Sequence, residues 1–437
     1  MEDAYEHNIA ENQFGFRRSR STSDAIWSLR QIVQKYNGTL IIVYVDLKAA
    51  YDRVPRDFLF KVLTIRTGAH TIIALLQALY KGTTASISGL RVKFDVLIGC
   101  RQGGQESPSC FNYYFDYVLK VAALRIDKAF PDGWGTKVDV QIPYWIKSTR
   151  GERLGAIDIL RWILYADDLA LFTTSVKEAE ELLKIIDATF REFGLTIAYS
   201  KTKTQVFNDE SLAGMSSLIN IGQNSIENVR EFCYLGHLVT NRVGQNFTEL
   251  RISRANAKFY ELARMLKDSE INMGTRKKVL EACVRSRLVY ACQAWYPNEK
   301  EIHSLEVCWY EILRKMISGG FRRKNQTADD WRYQYSNKDL EAIIGTCRLR
   351  DFINIQYLRY VAHVCRRPNT ALIKRLFFAK SQKPYYRNPW IKISQLLNVS
   401  EEQAKRDTQS SVKFSKLLET AFVHLRKPGA TTKKSSR

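Results

Sequence analysis

The sequence has few of the features that mark membrane or secreted proteins. Its longest apolar run, Leu40–Val45, is far shorter than the roughly 20 residues that cross a bilayer, and its polar start, Met1–Asn12, has no signal-peptide core. The 8 cysteines include no Cys-x-x-Cys pair, so neither a disulfide framework nor a zinc ribbon is predicted. With only 9 prolines and 45% apolar residues, extensive disorder is excluded for most of the chain. These features predict a folded, intracellular protein with buried thiols and no membrane partner.

Acidic residues are scarce relative to basic ones. The chain has 45 Asp plus Glu against 67 Lys plus Arg, which gives a formal net charge of +22. A surplus of this size favours a polyanionic partner, and nucleic acid is the first to consider. The 437 residues correspond to two to four domains, at roughly 100–200 residues each.

The first half of the chain reads as an α+β domain, one sheet backed by helices. The β-branched run Thr39–Val45 predicts a strand buried on both faces, and Asp46 ends it. Leu160–Tyr165 and Leu169–Thr173 predict a tight hairpin with carboxylates at its tip. Further predicted elements are a helix over Asp57–Tyr80, strands Thr83–Ser88 and Arg91–Ile98, a helix that begins at Ser107-Pro108, helix Val176–Phe193 and strand Leu195–Phe207.

Beyond Tyr234 the pattern becomes helical and basic. Helices are predicted over Phe247–Lys267, Thr275–Trp295 and Glu299–Ser318, with Gly319-Gly320 stopping the last. The chain stays helical from about Thr327, and residues 426–437 read as a disordered basic tail.

Three aspartates carry the strongest chemical signal. If the strand before Asp46 and the hairpin of Asp167-Asp168 are neighbours in one sheet, three carboxylates meet at one edge. Like charges at that distance raise each other's pKa unless a cation neutralises them, and Asp oxygens suit Mg²⁺. Two such ions, about 3.5–4 Å apart, are the arrangement for in-line phosphoryl transfer. An Asp-Asp pair is more often only a turn, as Asp329-Asp330 is, but apolar strands flank Asp167-Asp168 on both sides.

Six motifs in order over about residues 11–240 carry a family resemblance. The chain resembles the reverse transcriptases, and among them those of non-LTR (LINE-type) retrotransposons. The segments that carry the resemblance are Gln13-Phe14-Gly15-Phe16-Arg17 with Ser21-Thr22, Val45–Asp52, Arg101–Pro108, Tyr165–Asp168, Gly194-Leu195 with Lys201–Lys203, and Tyr234-Leu235-Gly236. The resemblance implies a right-hand polymerase: partial fingers over 1–37, a palm over 38–240, an all-α thumb over 241–320 and a helical C-terminal domain over 321–425.

The resemblance also implies roles for residues near the nucleotide. Asp46 and Asp167 would be direct ligands of two Mg²⁺ ions, with Mn²⁺ as the alternative ion, and Asp168 would support them. Asp52 is interpreted as a structural cap. Tyr51 would exclude a 2′-hydroxyl, with an ordinary core aromatic as the other interpretation. Gln102 and Gly103 match the turn that touches nucleotide and template, although Gly104, Gln105 and Glu106 depart mildly from the family pattern. Lys201, or less well Lys203, would protonate the leaving pyrophosphate. A solvated surface lysine is the other interpretation, and it is the preferred one for Lys203.

Other residues are assigned to template and primer. Arg17 would contact a template phosphate, and Tyr234-Leu235-Gly236 matches the turn that grips the primer end. Arg251, Arg254 and Lys258 sit at helical spacing and could follow a duplex, or form only a solvated face.

The predicted activity is RNA-directed DNA synthesis by two-metal nucleotidyl transfer. Its partners would be an RNA template, a DNA primer or target DNA, and deoxynucleoside triphosphates, with the nucleus as location and the cytoplasm as the alternative. The upstream finger motifs and the endonuclease of the family are not found, and Cys347, His363 and Cys365 lack zinc-knuckle spacing. This pattern predicts a 5′-truncated element copy or partial gene model. Two other interpretations stay open: an inactive nucleic-acid-binding remnant, and an intron maturase, which the lack of a maturase tail disfavours.

Overall fold

The computed structural model describes residues 5–6, 8–87, 92–101, 103–140, 156–241, 247–317, 322–324, 331–381 and 389–422. By contacts the chain divides into two units. The first comprises Met1–Val243 and Pro368–Tyr386, and the second comprises Gly244–Arg367 and Arg387–Arg437. The first is α+β and the second is mostly helical, which confirms the predicted fold class.

The first unit alternates helices with short strands. Its elements are α1 (Thr22–Lys35), β1 (Leu40–Val45), a 3₁₀ turn (Tyr51–Arg53), α2 (Arg56–Thr67), α3 (His70–Tyr80), β2 (Thr84–Ser86), β3 (Lys93–Asp95), α4 (Ser107–Ala129), β4 (Thr136–Val140), β5 (Ala156–Leu160), β6 (Trp162–Tyr165), β7 (Asp168–Thr173), α5 (Val176–Glu192), β8 (Lys203–Phe207), α6 (Glu210–Ala213), β9 (Ser217–Ile221), β10 (Asn224–Asn228), β11 (Glu231–Tyr234) and β12 (His237–Thr240).

A six-stranded sheet forms the centre of this unit, in the order β6-β7-β1-β8-β10-β9. Strand β1 pairs antiparallel with β7 on one side and with β8 on the other. All six residues of β1 are buried, as its continuous apolar pattern predicts. Ile41, Val43 and Val45 point to the face that packs in the main hydrophobic core. Burial of each such side chain contributes roughly 1.5–3 kcal/mol.

The residues that predict helix α5, its N-cap and its apolar positions, lie close together in the sequence. Ser175 caps its start by accepting a hydrogen bond from the Glu178 backbone N–H. Leu183, Ile186 and Phe190 recur at helical spacing and are fully buried. The predicted helix is therefore confirmed.

Two of the predicted elements of the first unit differ from the structure. The helix expected over Asp57–Tyr80 is two helices, because Gly68 adopts a left-handed conformation (φ 62°) that ends α2. The strand expected over Leu195–Phe207 begins only at Lys203, because the Lys201 and Thr202 N–H groups both donate to the Ala198 carbonyl and form a turn. Neither break has a strong signal in the apolar pattern.

Over its described residues, the second unit consists of helices and one pair of strands. Its elements are α7 (Phe247–Glu261), α8 (Ala263–Lys267), α9 (Met273–Val279), a π-helical stretch (Leu280–Arg285), α10 (Ser286–Leu288), α11 (Cys292–Trp295), α12 (Glu299–Met316), β13 (Arg322–Lys324), β14 (Trp331–Tyr333), α13 (Asn337–Ile344), α14 (Leu349–Arg366), α16 (Pro389–Leu397), α17 (Glu401–Asp407) and α18 (Ser411–Ala421); α15 (Leu372–Phe378) belongs to the first unit.

The predicted helical region 321–425 is thus less uniform than its sequence pattern indicates. It contains the strand pair β13–β14, and its residues 368–386 belong to the first unit. The helix predicted to end at Gly319-Gly320 ends at Met316. Gly319, Gly320 and the basic tail 426–437 lie outside the described residues.

Lys35 joins α15 to α1 within the first unit. Its buried Nζ donates to the carbonyl oxygens of Leu376, Phe377 and Ala379 at 2.7, 2.8 and 3.0 Å. Trp27 stacks on Phe377 beside this contact, with ring centroids 5.9 Å apart. Burial lowers the pKa of Lys35 to about 7, whereas three carbonyl acceptors favour the ammonium, because only that form has three N–H donors. Lys35 therefore serves as a C-terminal cap for α15 from a distant helix.

Among the described residues, we find no helix that is long and apolar enough to span a membrane.

The Lys35 cap predicts a stability effect. We expect Lys35→Met to lower the free energy of unfolding by about 1–3 kcal/mol, because buried carbonyl oxygens lose their donors. Urea unfolding measures this change, and Lys184→Met serves as the control. Lys184 is exposed and pairs with Glu181 on the same helix, so its replacement should change stability by less than about 0.5 kcal/mol. An unchanged midpoint for Lys35→Met would contradict the capping role.

Candidate active site

The Asp-Asp turn, Tyr165–Asp168, joins β6 to β7 in two residues. Tyr165 pairs with Asp168 as the last rung of the hairpin, so Ala166 and Asp167 form its loop. Ala166 has a φ of 56°, a conformation that glycine or asparagine usually occupies in such turns. The predicted hairpin is confirmed, with Asp167 at its tip and Asp168 as the first residue of β7.

Asp46 lies opposite Asp168 across the sheet. Strand β1 pairs with β7 in a register that sets Val45 against Leu169. Extension of that register by one residue sets Asp46 against Asp168, and side chains at opposite positions have Cβ atoms about 4.5–5.5 Å apart. The expectation that the two strands are neighbours is therefore confirmed, and both carboxylates point to the face opposite the main core.

The proximity of the three carboxylates contributes to raised pKa values of Asp167 and Asp168. Burial raises the pKa of Asp167, and the negative charge of Asp46 raises it further. Burial raises the pKa of Asp168 to about 6, with added contributions from Asp167 and Asp46. Asp168 as a whole residue is exposed to solvent, and repulsion by Asp167 and Asp46 adds to the effect of burial on its pKa.

These carboxylates have the chemistry of a magnesium site without forming a closed cage. Among the described residues, no three His, Cys, Asp or Glu side chains are already arranged to hold a metal ion. Mg²⁺ in nucleotidyl-transfer sites takes one or two carboxylates and completes its shell with water and substrate phosphates. Asp46, Asp167 and Asp168 fit that requirement, since their mutual repulsion is what a divalent cation would relieve.

Tyr51 lies beside this cluster. Its ring stacks on Phe111 of α4, with centroids 4.3 Å apart and planes at 19°. Burial raises its pKa, and the charge of Asp167 adds to the rise, which places the phenol near the Asp-Asp turn. Asp52 follows within the 3₁₀ turn Tyr51–Arg53, past the end of β1, in line with its interpretation as a structural residue.

The turn that precedes α4 lies within the described residues except for Gln102. Gly103 is exposed and has a φ of 78°, a backbone conformation that glycine adopts without strain. Gln102 lies outside the described residues, so its predicted contact with nucleotide stays a prediction. Ser107 begins α4 and donates from its hydroxyl to the Arg101 carbonyl at 2.6 Å.

The two candidate lysines differ in their surroundings. Lys203 pairs with Glu227 at 2.6 Å and donates to the Ser200 carbonyl, which favours its interpretation as a structural residue. Lys201 is exposed in the turn before β8. Of the two, Lys201 is the better candidate for a proton donor.

The structure contradicts the prediction that Arg17 contacts a template. Its side chain is only 2% exposed and pairs with Glu6 at 3.1 Å. The guanidinium also donates to the carbonyls of Ala10, at 2.7 Å, and of Glu6, at 2.9 Å. Arg17 is therefore a buried anchor for the segment around it, because its donors are used within the protein.

The Tyr234-Leu235-Gly236 turn forms as predicted, with one difference. Leu235 and Gly236 have φ values of 47° and 76° and connect β11 to β12, as a tight hairpin requires. The Tyr234 ring, however, is buried beside Tyr44 of β1, with centroids 5.8 Å apart. Burial and the charge of Asp168 raise its pKa. Leu235 and Gly236 are partly exposed, and their contact with a primer end stays a prediction.

The basic row on α7 in the second unit is also corrected in part. Arg251 is 2% exposed, with its guanidinium 4.9 Å from the Tyr290 ring centroid, so it does not face a duplex. Arg254 is exposed, and Lys258 pairs with Glu261 on the same helix. The helical spacing alone cannot distinguish a buried arginine from an exposed one.

The sequence analysis does not identify two buried amides at the Asp-Asp turn, Gln13, which contacts the turn, and Asn112, which contacts Gln13. Gln13 bonds both the N–H and the carbonyl of Ala166, and Asn112 bonds the Gly15 carbonyl. Gln13 belongs to the Gln-Phe-Gly-Phe-Arg segment of the family resemblance, which is the signal in the sequence that points to it.

The raised pKa of Asp168 predicts a pH-dependent stability. A carboxyl that titrates near 6 in the folded protein and near 3.8 when unfolded destabilises the metal-free fold fully above pH 6, and this penalty disappears as the pH falls towards 4. We therefore expect Asp168→Asn to raise the melting temperature at pH 7.5 in chelator, with the gain shrinking between pH 6 and 4. Asp95→Asn, on the exposed strand β3, is the control. A gain independent of pH would contradict this account.

Comparison with known proteins gives one curated relative and several solved structures. An uncharacterized 91 kDa protein in a cob intron of Schizosaccharomyces pombe is 27% identical over 240 residues, which are 48% of this chain and 29% of that protein. The chain thus spans less than a third of this relative's length.

Telomerase structures are also similar at low identity. Apo telomerase from Candida tropicalis matches at 11% identity and a TM-score of 0.39, over 87% of this chain and 60% of that one. Telomerase from Candida albicans, in complex with a fragment of telomeric RNA, matches at 11% identity and a TM-score of 0.33, over 72% and 48%. At such TM-scores we base no conclusion on either.

The family comparison is more specific. Residues 1–239, more than half of the chain, match the reverse transcriptase (RNA-dependent DNA polymerase) family. This range includes β1, the Asp-Asp turn and the β11–β12 hairpin. The chain belongs to the reverse transcriptase family.

Proposed function

We propose that this protein is an RNA-directed DNA polymerase of a non-LTR retrotransposon, which copies element RNA into DNA. The observation that carries the proposal is the β1–β7 register, which sets Asp46 against Asp168 beside the turn of Asp167. Its partners would be an RNA template, a DNA primer or target DNA and deoxynucleoside triphosphates. Work on chromosomal DNA would take place in the nucleus.

The proposed reaction is attack of a primer 3′-oxygen on the α-phosphorus of a deoxynucleotide. The new phosphodiester bond forms as the bond to pyrophosphate breaks. Asp46 and Asp167 would hold two Mg²⁺ ions, and Asp168 would stabilise their arrangement. When bound, the ions would activate the 3′-hydroxyl and neutralise charge on the leaving oxygens. Lys201 would give its ammonium proton to the departing pyrophosphate.

Tyr51 would select the sugar. Its stacking on Phe111 holds the ring in one orientation, and the electrostatic influence of Asp167 indicates that the phenol is near the proposed metal ligands. A rigid aromatic at that place leaves no room for a 2′-hydroxyl, so deoxynucleotides would be preferred.

A second candidate is favoured by one comparison. The curated relative is described as a protein in a cob intron, so this chain could act on intron RNA rather than on a retrotransposon transcript. The motif series Gln13–Arg17 and the Arg101–Pro108 turn support the non-LTR assignment. Primer-extension assays on intron RNA and on a retrotransposon transcript distinguish these two candidate functions.

The proposed chemistry predicts a large effect at Asp167. On an RNA template with an annealed DNA primer and Mg²⁺, we expect Asp167→Asn to reduce extension at least about 100-fold, as is usual when a group that stabilises transition-state charge is lost. The control is Asp132→Asn, since Asp132 is exposed and outside the carboxylate cluster. Equal extension by Asp167→Asn and the parent protein would refute the assignment.

The same assay separates the enzyme from an inactive remnant. A parent protein that binds the primer–template duplex in a salt-sensitive manner without extending it would be a nucleic-acid-binding remnant.

Tyr51 predicts a change in sugar selection. We expect Tyr51→Ala to raise ribonucleotide incorporation relative to deoxynucleotide by about 10-fold or more, because a space opens for the 2′-hydroxyl. Tyr51→Phe keeps the ring on Phe111 and should keep the selectivity. If Tyr51→Ala lowers stability but leaves selectivity unchanged, Tyr51 is only a core aromatic.

A further inference from the structure

We propose that Gln13 is a positioning residue that sets the conformation of the Asp-Asp turn and thereby the metal affinity of its carboxylates. The inference rests on the proposed function and extends it to a residue outside the carboxylate cluster. The side chain is 1% exposed and lies 153 residues before its partner, Ala166.

The segment Asn12–Gly15 brings Gln13 to the turn by pairing beside β6. The Phe14 N–H donates to the Leu164 carbonyl at 2.8 Å, and the Leu164 N–H donates to the Asn12 carbonyl at 2.9 Å. Gln13 itself forms a parallel bridge with Leu164. The segment thus extends the edge of the sheet, two residues before the turn begins.

The Gln13 amide then holds the Ala166 residue at both of its polar groups. The Ala166 N–H donates to Gln13 Oε1 at 3.0 Å, and Gln13 Nε2 donates to the Ala166 carbonyl at 3.1 Å. Oε1 also accepts from the Gly15 N–H at 2.8 Å. Water competes little for these bonds at a buried site, so the clamp fixes the Ala166 backbone.

Ala166 needs such a clamp. Its φ of 56° is disfavoured for any residue with a Cβ atom, and glycine usually occupies this position in two-residue turns. The dihedral angles of Ala166 determine where Asp167 and Asp168 leave the turn. Loss of the clamp would let the turn relax and move the carboxylates that follow it.

Three neighbouring residues hold the clamp in place. Asn112 donates from Nδ2 to the Gly15 carbonyl at 2.8 Å and accepts at Oδ1 from Gln13 Nε2 at 3.4 Å. A Cβ atom on Gly15 would lie 2.4 Å from the Ala166 nitrogen, so only glycine allows this approach. Arg17, which bonds the Ala10 carbonyl and Glu6, anchors the same segment.

The test compares Gln13→Met with a matched control. Methionine keeps the length and most of the volume of glutamine but has no amide. Gln31→Met removes another buried glutamine amide, on α1. The third variant is Gln13→Met with Ala166→Gly, since glycine adopts the turn conformation without help. For each protein, electron paramagnetic resonance measures Mn²⁺ affinity without nucleotide, hydrogen exchange measures protection of the Ala166 and Asp167 amides, and thermal unfolding measures stability.

We expect Gln13→Met to weaken Mn²⁺ binding about 10- to 100-fold, the range found when a group that orients a metal ligand is removed, and to lose amide protection at Ala166. Gln31→Met should bind Mn²⁺ within twofold of the parent, even where it melts at a similarly reduced temperature. The double variant should recover most of the lost affinity. If Gln13→Met alone does not fold, a double variant that folds and binds Mn²⁺ within a few-fold of Ala166→Gly supports the inference, because glycine then replaces the clamp. A double variant that also fails to fold, or folds without that affinity, overturns it.

Unchanged Mn²⁺ affinity in folded Gln13→Met would overturn the inference. Equal losses in Gln13→Met and Gln31→Met would also overturn it, because a general loss of stability would then explain both. A parent protein that binds Mn²⁺ but extends no primer refutes the proposed function and leaves this test intact. A parent that extends primers while Gln13→Met keeps its Mn²⁺ affinity refutes only the inference.

Discussion

The antiparallel pairing of β1 with β7 is the constraint on which the site depends. Val45 pairs with Leu169, so the residues that follow and precede them, Asp46 and Asp168, take opposite positions. A slip of one residue would turn the side chains of β1 to the other face of the sheet. The fully buried, apolar faces of both strands oppose that slip, because it would move Ile41, Val43 and Val45 out of the core. The hydrophobic core thus fixes the position of the carboxylates.

The same arrangement costs stability in the metal-free protein. Burial and the neighbouring acids raise the pKa of Asp168 to about 6, so folding brings together charges that repel each other. The sheet has a cation on the same face, since Lys203 lies opposite Tyr44, two residues before Asp46. Lys203 instead pairs with Glu227 at 2.6 Å. Its charge is thus satisfied elsewhere, and the acids remain available to a divalent cation.

Local patterns predicted much of this fold, and long-range burial explains what they missed. The apolar run of β1, the two strands around Asp167-Asp168 and the capped, periodic α5 all follow from neighbouring residues. The sequence predicts contact with nucleic acid for Arg17 from its motif and its donor groups, and for Arg251 from its helical spacing. Arg17 is buried by Glu6 and nearby carbonyls, and Arg251 by Tyr290, 39 residues away in sequence. The spacing of residues along the sequence does not predict such long-range partners.

The alanine in the Asp-Asp turn explains why a distant amide belongs to the site. A glycine at position 166 would adopt the required positive φ without strain. It would also allow several other backbone conformations. Alanine is stiffer but disfavours the required angle, so the turn needs an external partner. Gln13 supplies one at both the N–H and the carbonyl of Ala166. The turn therefore reaches its native geometry only when the segment around Gln13 has docked beside β6, which couples folding of the N-terminal segment to the geometry of the carboxylates.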